Sequence, residues 1–375
     1  MNFQTYPFEK LNNLLSNITP NPELDPLTLT IGEPQFETPS FIQDALCKNS
    51  KYLNKYPKSS GEQILRDAQK GFVKRRFDVE LKDSQIIPTF GTREVLFNFP
   101  QFLLSSKKEP VMAFTNPFYQ IYEGAAIASK AEIIHLDLTK ENGFLAPIDP
   151  ETLKKCDLVI INYPNNPTSA SVDLEYLKEW AKAALMYDFV LINDECYSEI
   201  YLTHGDPSLL EAAKAVGNSE FKNILVLNSI SKRSSAPSLR SGFIAGDEKI
   251  LKEYMLYRTY IGAASPLPLQ FASAAAWNDE EHVEVNRERY RKSFEIATKI
   301  LGITAPSSTF YLWLEVDNDI EFTKTLYKEK NLKVLPGSFL SRGEFKSKYV
   351  RIALVENESK TEEALLRIKE LISGK

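Results

Sequence analysis

The run Ile224-Leu225-Val226-Leu227-Asn228-Ser229-Ile230-Ser231-Lys232-Arg233-Ser234-Ser235-Ala236-Pro237-Ser238-Leu239-Arg240-Ser241-Gly242-Phe243 joins a short apolar stretch to a polar turn. Four consecutive aliphatic residues, bounded by turn formers, read as a strand buried on both faces. Lys232 follows that strand, with the hydroxyl of Ser229 three residues before it and Arg240 eight after. A lysine amine so placed suits imine formation with an aldehyde cofactor that carries a phosphate. Arg240 offers a planar fork to phosphate oxygens, and Ser229 and Ser231 offer further donors. A lone Lys-Arg pair would read as solvated surface. The rest of the chain supplies companions.

The same pattern, an apolar run followed by a polar turn, recurs at Val111–Phe114, Leu158–Ile161 and Phe189–Ile192. Between the last runs, Leu174 to Met186 has apolar residues at Leu174, Leu177, Trp180, Ala181 and Ala184, which is helical spacing. Gln63 to Phe77 is a second predicted helix, with Ile64, Leu65, Ala68, Phe72 and Phe77 on one stripe. Alternating strands and helices predict an α/β fold, a mostly parallel sheet with helices on both faces. After about residue 270 the chain changes character. Helical stretches from Trp277 to Leu301 lead to candidate strands at Tyr311–Val316 and Val350–Leu354. A capping box, Ser359-Lys360-Thr361-Glu362, is predicted to open the last helix ahead of Ala364, Leu365, Ile368 and Leu371. The expected division is a large domain over 45–270, and a smaller α+β domain over 271–375 with segment 1–44 beside it.

Composition excludes several classes. The 375 residues carry 45 basic and 50 acidic side chains, a net charge of −5, which argues against a nucleic-acid partner. Cys47, Cys156 and Cys196 are too scattered for a disulfide framework or a zinc site. His135, His204 and His282 form no ligand-like pair, so no metal is expected. The start Met1-Asn2-Phe3-Gln4 lacks a signal layout and no apolar run is long enough to span a bilayer. A cytoplasmic enzyme is expected.

Ligands of open α/β sheets bind beyond the carboxyl ends of strands. The polar groups that follow the predicted strands are Asn116-Pro117-Phe118-Tyr119, Asn166-Pro167-Thr168, Asp194-Glu195-Cys196-Tyr197 and the lysine segment. Together they match what pyridoxal phosphate needs. Asp194 can face the pyridine nitrogen and keep it protonated. Tyr197 and Asn166 can donate to the phenolic oxygen, and Tyr119 can stack on the ring. The turn Phe90-Gly91-Thr92-Arg93-Glu94, opening a helix, offers backbone N–H groups to the phosphate.

Asn166 precedes Asp194 by 28 residues and Asp194 precedes Lys232 by 38. In this order and spacing the chain resembles the class I and II pyridoxal-phosphate aminotransferases of fold type I, over nearly its whole length. The resemblance implies Lys232, Asp194 and Tyr197 as catalytic residues. It also implies that Leu29-Thr30-Ile31-Gly32-Glu33-Pro34 is a substrate gate, and that Arg351 grips the substrate α-carboxylate with Asn166. Tyr56, in Lys55-Tyr56-Pro57-Lys58-Ser59-Ser60-Gly61, would reach the phosphate in the partner subunit of a homodimer; Ser265 is a second candidate to cross. The family commonly has glycine where this chain has Ser169. Tyr6–Leu11, Asn116–Ala125, Tyr257–Tyr260 and Ala275–Glu280 further resemble the succinyldiaminopimelate aminotransferases. That implies N-succinyl-LL-2,6-diaminopimelate and 2-oxoglutarate as substrates, with Tyr6, Arg93 and Arg258 as candidates for the distal carboxylates. The other readings are an aspartate or other amino-acid aminotransferase, and a β-lyase that uses the same lysine and aspartate.

Overall fold

Leu158 and Ile160 pack on one face of a sheet, Val159 and Ile161 on the other, and all four are fully buried. That alternation is the signature of a strand covered on both sides. The computed structural model describes residues 3–343 and 348–374. Met1 and Asn2, part of the chain start read above, lie outside them. A two-residue strand, β1 (Leu27–Thr28), precedes β2 (Ile86–Thr89), β3 (Val111–Asn116), β4 (Glu132–Asp137), β5 (Leu158–Ile161), β6 (Val190–Asp194), β7 (Ile224–Ser229) and β8 (Gly242–Gly246). The last seven form one sheet in the order β2-β8-β7-β6-β5-β3-β4. Strands β3 to β7 pair in parallel, and β8 runs antiparallel to both β7 and β2. The mostly parallel α/β sheet is as expected.

The helix Leu174–Tyr187 begins where the Asp173 carboxylate accepts from the Tyr176 N–H at 2.8 Å. It ends at Asp188 in the left-handed region, which a short polar residue tolerates. Its Leu177, Trp180, Ala181 and Ala184 are buried against the sheet. The helix Gln63–Phe77 has the bounds read from the sequence, with one correction. Ile64 is 47% exposed, while Leu65, Ala68, Phe72 and Phe77 are buried. At 3.6 residues per turn Ile64 falls off the stripe that Leu65 occupies.

Four strands follow: β9 (Tyr311–Glu315), β10 (Leu332–Lys333), β11 (Leu335–Pro336) and β12 (Tyr349–Ala353). An antiparallel sheet β11-β12-β9 packs on the helices Glu281–Leu301 and Glu358–Ser373 through Phe294, Leu312, Val350, Ile352, Leu365 and Ile368. β1 pairs in parallel with β10, which sets Leu27 and Thr28 beside Leu332 and Lys333. The capping box needs correction. The last helix starts at Glu358, and its cap is Asn357, whose side chain accepts from the Lys360 N–H at 3.0 Å. A cap side chain reaches two or three residues ahead, and Ser359 already lies inside the first turn.

Candidate active site

Parallel strands place their carboxyl ends at one edge, and here Asn116, Asn162, Asp194 and Ser229 end β3, β5, β6 and β7 or follow them directly. The antiparallel β8 brings its amino end to the same edge, because Gly242 pairs with Ser229 and with Thr89. Arg240 and the Gly91 turn therefore arrive there too. A cavity of about 730 Å³ opens at this edge. Lys232, Asp194, Tyr197, Asn166, Tyr119, Thr92, Arg93, Ser229, Ser231, Arg240, Gly32 and Arg351 all line it.

The Lys232 amine sits within hydrogen-bond contact of the Gly32 carbonyl oxygen. Burial lowers its pKa to about 8. Asp194 is buried, and burial raises its carboxyl above the ordinary range. Tyr122 Oη donates to its Oδ2 at 2.8 Å and the Cys196 N–H reaches Oδ1 at 3.3 Å. Among the described residues no cationic side chain lies within ion-pair distance of this carboxylate. A buried acid with donors but no counterion suits a protonated ring nitrogen. Asn162 fastens the neighbouring strand ends, donating to the Asp194 carbonyl at 2.7 Å and accepting from the Asn166 N–H at 2.8 Å. Burial holds the Tyr197 hydroxyl well above its ordinary pKa, so it remains a donor.

The helix Thr92–Leu104 starts at Gly91 with no side-chain cap, which leaves its first N–H groups for an anion. Gly91 has φ +73°, and a Cβ there would land on the Arg240 guanidinium. The positive φ is what calls for glycine, since the guanidinium is the movable end of a long side chain. Thr92 Oγ1 accepts from Cys196 Sγ at 3.2 Å, and Ser229 Oγ lies 2.9 Å from Ser231 Oγ. Arg240 donates to the Pro237 carbonyl at 2.9 Å, and among the described residues no carboxylate pairs with it. Bare helix N–H groups, hydroxyls and an arginine without an acid make a phosphate cup. The residues present fit pyridoxal phosphate.

Arg351 projects from β12. Its Nη1 donates to Asn166 Oδ1 at 2.8 Å and its Nη2 to the Thr30 carbonyl at 2.6 Å, while its buried Nε has no partner. Arg93 Nε donates to Tyr119 Oη at 2.7 Å. Tyr6 also lines the cavity. Arg258 does not, which corrects one expectation. It is buried, paired with Glu94 at 3.0 Å, and donates to the Ser59 and Ala263 carbonyls. An arginine with three partners inside the protein has no free fork for substrate. Tyr56 is 100% exposed and apart from this chain's cavity. Ser265 Oγ donates to the Arg240 carbonyl of its own chain at 3.1 Å. Ser169 takes φ +62°, the conformation that glycine favours, and its Oγ bonds the Tyr311 carbonyl at 2.8 Å. Tyr122, Asn162 and Tyr311 belong to the site and were not singled out from sequence. A buried tyrosine requires a partner for its hydroxyl, and Asn162 directly follows a predicted strand; those were the available signals.

Fold and cavity together define a class, the fold-type I pyridoxal-phosphate enzymes. The model of the family "Aminotransferase class I and II" matches residues 25–368. A solved aminotransferase AspB from Helicobacter pylori is 50% identical, with a TM-score of 0.97 and 100% of each chain covered. An aminotransferase from Neisseria meningitidis is 38% identical, with a TM-score of 0.94 and 98% of each covered. An LL-diaminopimelate aminotransferase from Aquifex aeolicus is 32% identical over 93% of this chain and 92% of its own. The chain belongs to the class I and II aminotransferases, and the family depends on pyridoxal phosphate.

Proposed function

We propose that this aminotransferase acts on a diaminopimelate-type amino acid, N-succinyl-LL-2,6-diaminopimelate, with 2-oxoglutarate as amino acceptor. The observation that carries the reading is an unpaired arginine beyond Arg240 of the phosphate cup and Arg351. Among the described residues neither Arg351 nor Arg93 pairs with a carboxylate, and both line the same roomy cavity. Arg351 takes the α-carboxylate common to donor and acceptor; Arg93, with Tyr6 beside it, takes a distal one. The Aquifex relative favours a second reading, the same amino acid without its succinyl group.

The bound cofactor supplies an electron sink for negative charge at the substrate α-carbon. Asp194 holds the proton on the ring nitrogen. Tyr197 Oη and the side-chain amide of Asn166 would donate to the phenolic oxygen, and Tyr119 would cover the ring. Thr92, Ser229, Ser231, Arg240 and the N–H groups after Gly91 hold the phosphate. Lys232 Nζ moves the proton from the α-carbon, a task suited to an amine with a pKa of about 8. The same proposal includes a cytosolic homodimer in which Tyr56 reaches the partner's phosphate. The proposal also divides the chain into a large cofactor-binding domain over 45–270 and a smaller domain over 271–375 with segment 1–44 beside it. Among the described residues no helix is long and apolar enough to cross a membrane.

The test compares kcat/KM for succinyldiaminopimelate, LL-diaminopimelate, aspartate, alanine and aromatic amino acids, with 2-oxoglutarate as acceptor. Succinyldiaminopimelate should lead. A tenfold or larger preference for aspartate overturns the substrate and leaves the transamination; pyruvate and ammonia from a cystathionine-like substrate reveal a β-lyase.

A further inference from the structure

Tyr311 stands at the meeting point of three groups to which the site gives different tasks. Its hydroxyl lies 3.0 Å from Tyr197 Oη. The Arg351 guanidinium sits over its ring, 4.4 Å from the centroid. A Cβ at Gly32, whose carbonyl oxygen meets the Lys232 amine, would land on the same hydroxyl. Strand register explains the arrangement. Tyr311 pairs with Ala353 and Arg351 pairs with Trp313, so Tyr311 and Arg351 are diagonal neighbours on one face of the sheet. The backbone of Tyr311 is pinned on both sides. Its N–H donates to Thr309 Oγ1 at 3.0 Å and its carbonyl accepts from Ser169 Oγ at 2.8 Å.

We infer that Tyr311 is a positioning residue that couples the cofactor's phenolic-oxygen site to the substrate-carboxylate site. The inference rests on the assignment of Tyr197 to the cofactor and of Arg351 to the α-carboxylate. Tyr197 has one proton to give. If Tyr311 Oη donates to Tyr197 Oη, that proton is free for the cavity and is made a stronger donor, because chained hydrogen bonds polarise one another. The ring of Tyr311 meanwhile forms a floor that holds the Arg351 fork in one plane while Asn166 and Thr30 hold its edge. One side chain thus does two separable things, one through its hydroxyl and one through its ring.

The separation makes the test. In the holoenzyme, Tyr311→Phe should raise the pH midpoint of the cofactor's visible absorbance change by roughly 0.1 to 0.6 unit, the share of a charge-assisted hydrogen bond that one chained neighbour contributes. It should leave the Kd of succinate, an unreactive carboxylate probe, within about twofold. Tyr311→Leu should weaken succinate about tenfold as well, because the ring is lost. Tyr197→Phe should raise the midpoint at least as far as Tyr311→Phe, and the double variant should match Tyr197→Phe alone, since Tyr311 acts through Tyr197. A midpoint unmoved by Tyr311→Phe but moved by Tyr197→Phe overturns the coupling, as does additivity in the double variant. A midpoint unmoved by Tyr197→Phe overturns the assignment of Tyr197 itself. Tyr311→Phe keeps the ring, so the midpoint remains measurable if Tyr311→Leu does not fold.

Discussion

Lys232 carries a conflict that its surroundings turn to use. A buried ammonium that forms no ion pair among the described residues is costly, so burial outweighs the pull of Cys196 and Glu33, shifts the amine towards its neutral form and lowers the pKa from 10.5 to about 8. The neutral amine is the form that attacks an aldehyde. Capture of pyridoxal phosphate by the apoprotein should therefore speed up as pH rises through about 8, and fall about tenfold per unit below it, as the neutral fraction does. Stopped-flow absorbance measures this directly, and a midpoint near 10.5 would show an unperturbed lysine. The sign of the linked stability is fixed by the same shift. The unfolded chain holds the proton up to the ordinary lysine range and the folded chain gives it up near 8, so apoprotein stability should rise with pH between those values. Asp194 is the complement: burial raises it, and in the proposed site a cation on the ring nitrogen would supply the counter-charge that no described side chain gives. Both shifts were beyond reach from the sequence, which gives residue types and spacing but not the desolvation of either group.

At the level of elements, legibility followed local signal. β3, β5, β6 and β7 were readable because each contains a short run of apolar residues followed by a polar turn. β2 contains Pro88, β8 begins and ends with glycine, and β4 lies at the sheet edge with polar ends, so none carries a strong strand signature. The tertiary contacts Tyr122–Asp194 and Tyr197–Tyr311 span 72 and 114 residues, distances over which periodicity says nothing. The turn after Asn166-Pro167-Thr168 shows how a departure from the family's usual residue is accommodated. Ser169 pays the strain of a left-handed conformation and recovers it through hydrogen bonds to Thr309 Oγ1 at 2.6 Å and to the Tyr311 carbonyl. Ser169→Ala keeps the strain and loses both bonds, so it should cost about 1–3 kcal/mol in urea melts. Ser169→Gly loses the bonds but relieves the strain, and should cost less. Equal losses in the two variants would mean that backbone conformation has no part in the effect.

For the whole molecule, the open question is how much of the site one chain provides. Tyr56, Leu53 and Tyr260 are 100%, 76% and 85% exposed, an unusual placement for large apolar side chains. Arg258 draws their segments together by donating to the Ser59 carbonyl at 3.2 Å and the Ala263 carbonyl at 2.6 Å. Its Glu94 partner lies in the first turn of the helix that opens at Gly91, and accepts from the Phe90 N–H. A single buried ion pair thus fixes the geometry between this exposed surface and the phosphate cup. In a two-fold dimer that surface would face its own copy, and each chain would lend Tyr56 to the other's cup. Mixing Lys232→Ala with Tyr56→Phe tests this. In the hybrid one site collects both defects and the other none, so refolding equal amounts should restore about a quarter of wild-type activity, half the dimers having one intact site of two. Activity equal to the mean of the two parents would mean that Tyr56 serves its own chain's site or none. A fully active monomer in sedimentation would remove the shared site altogether.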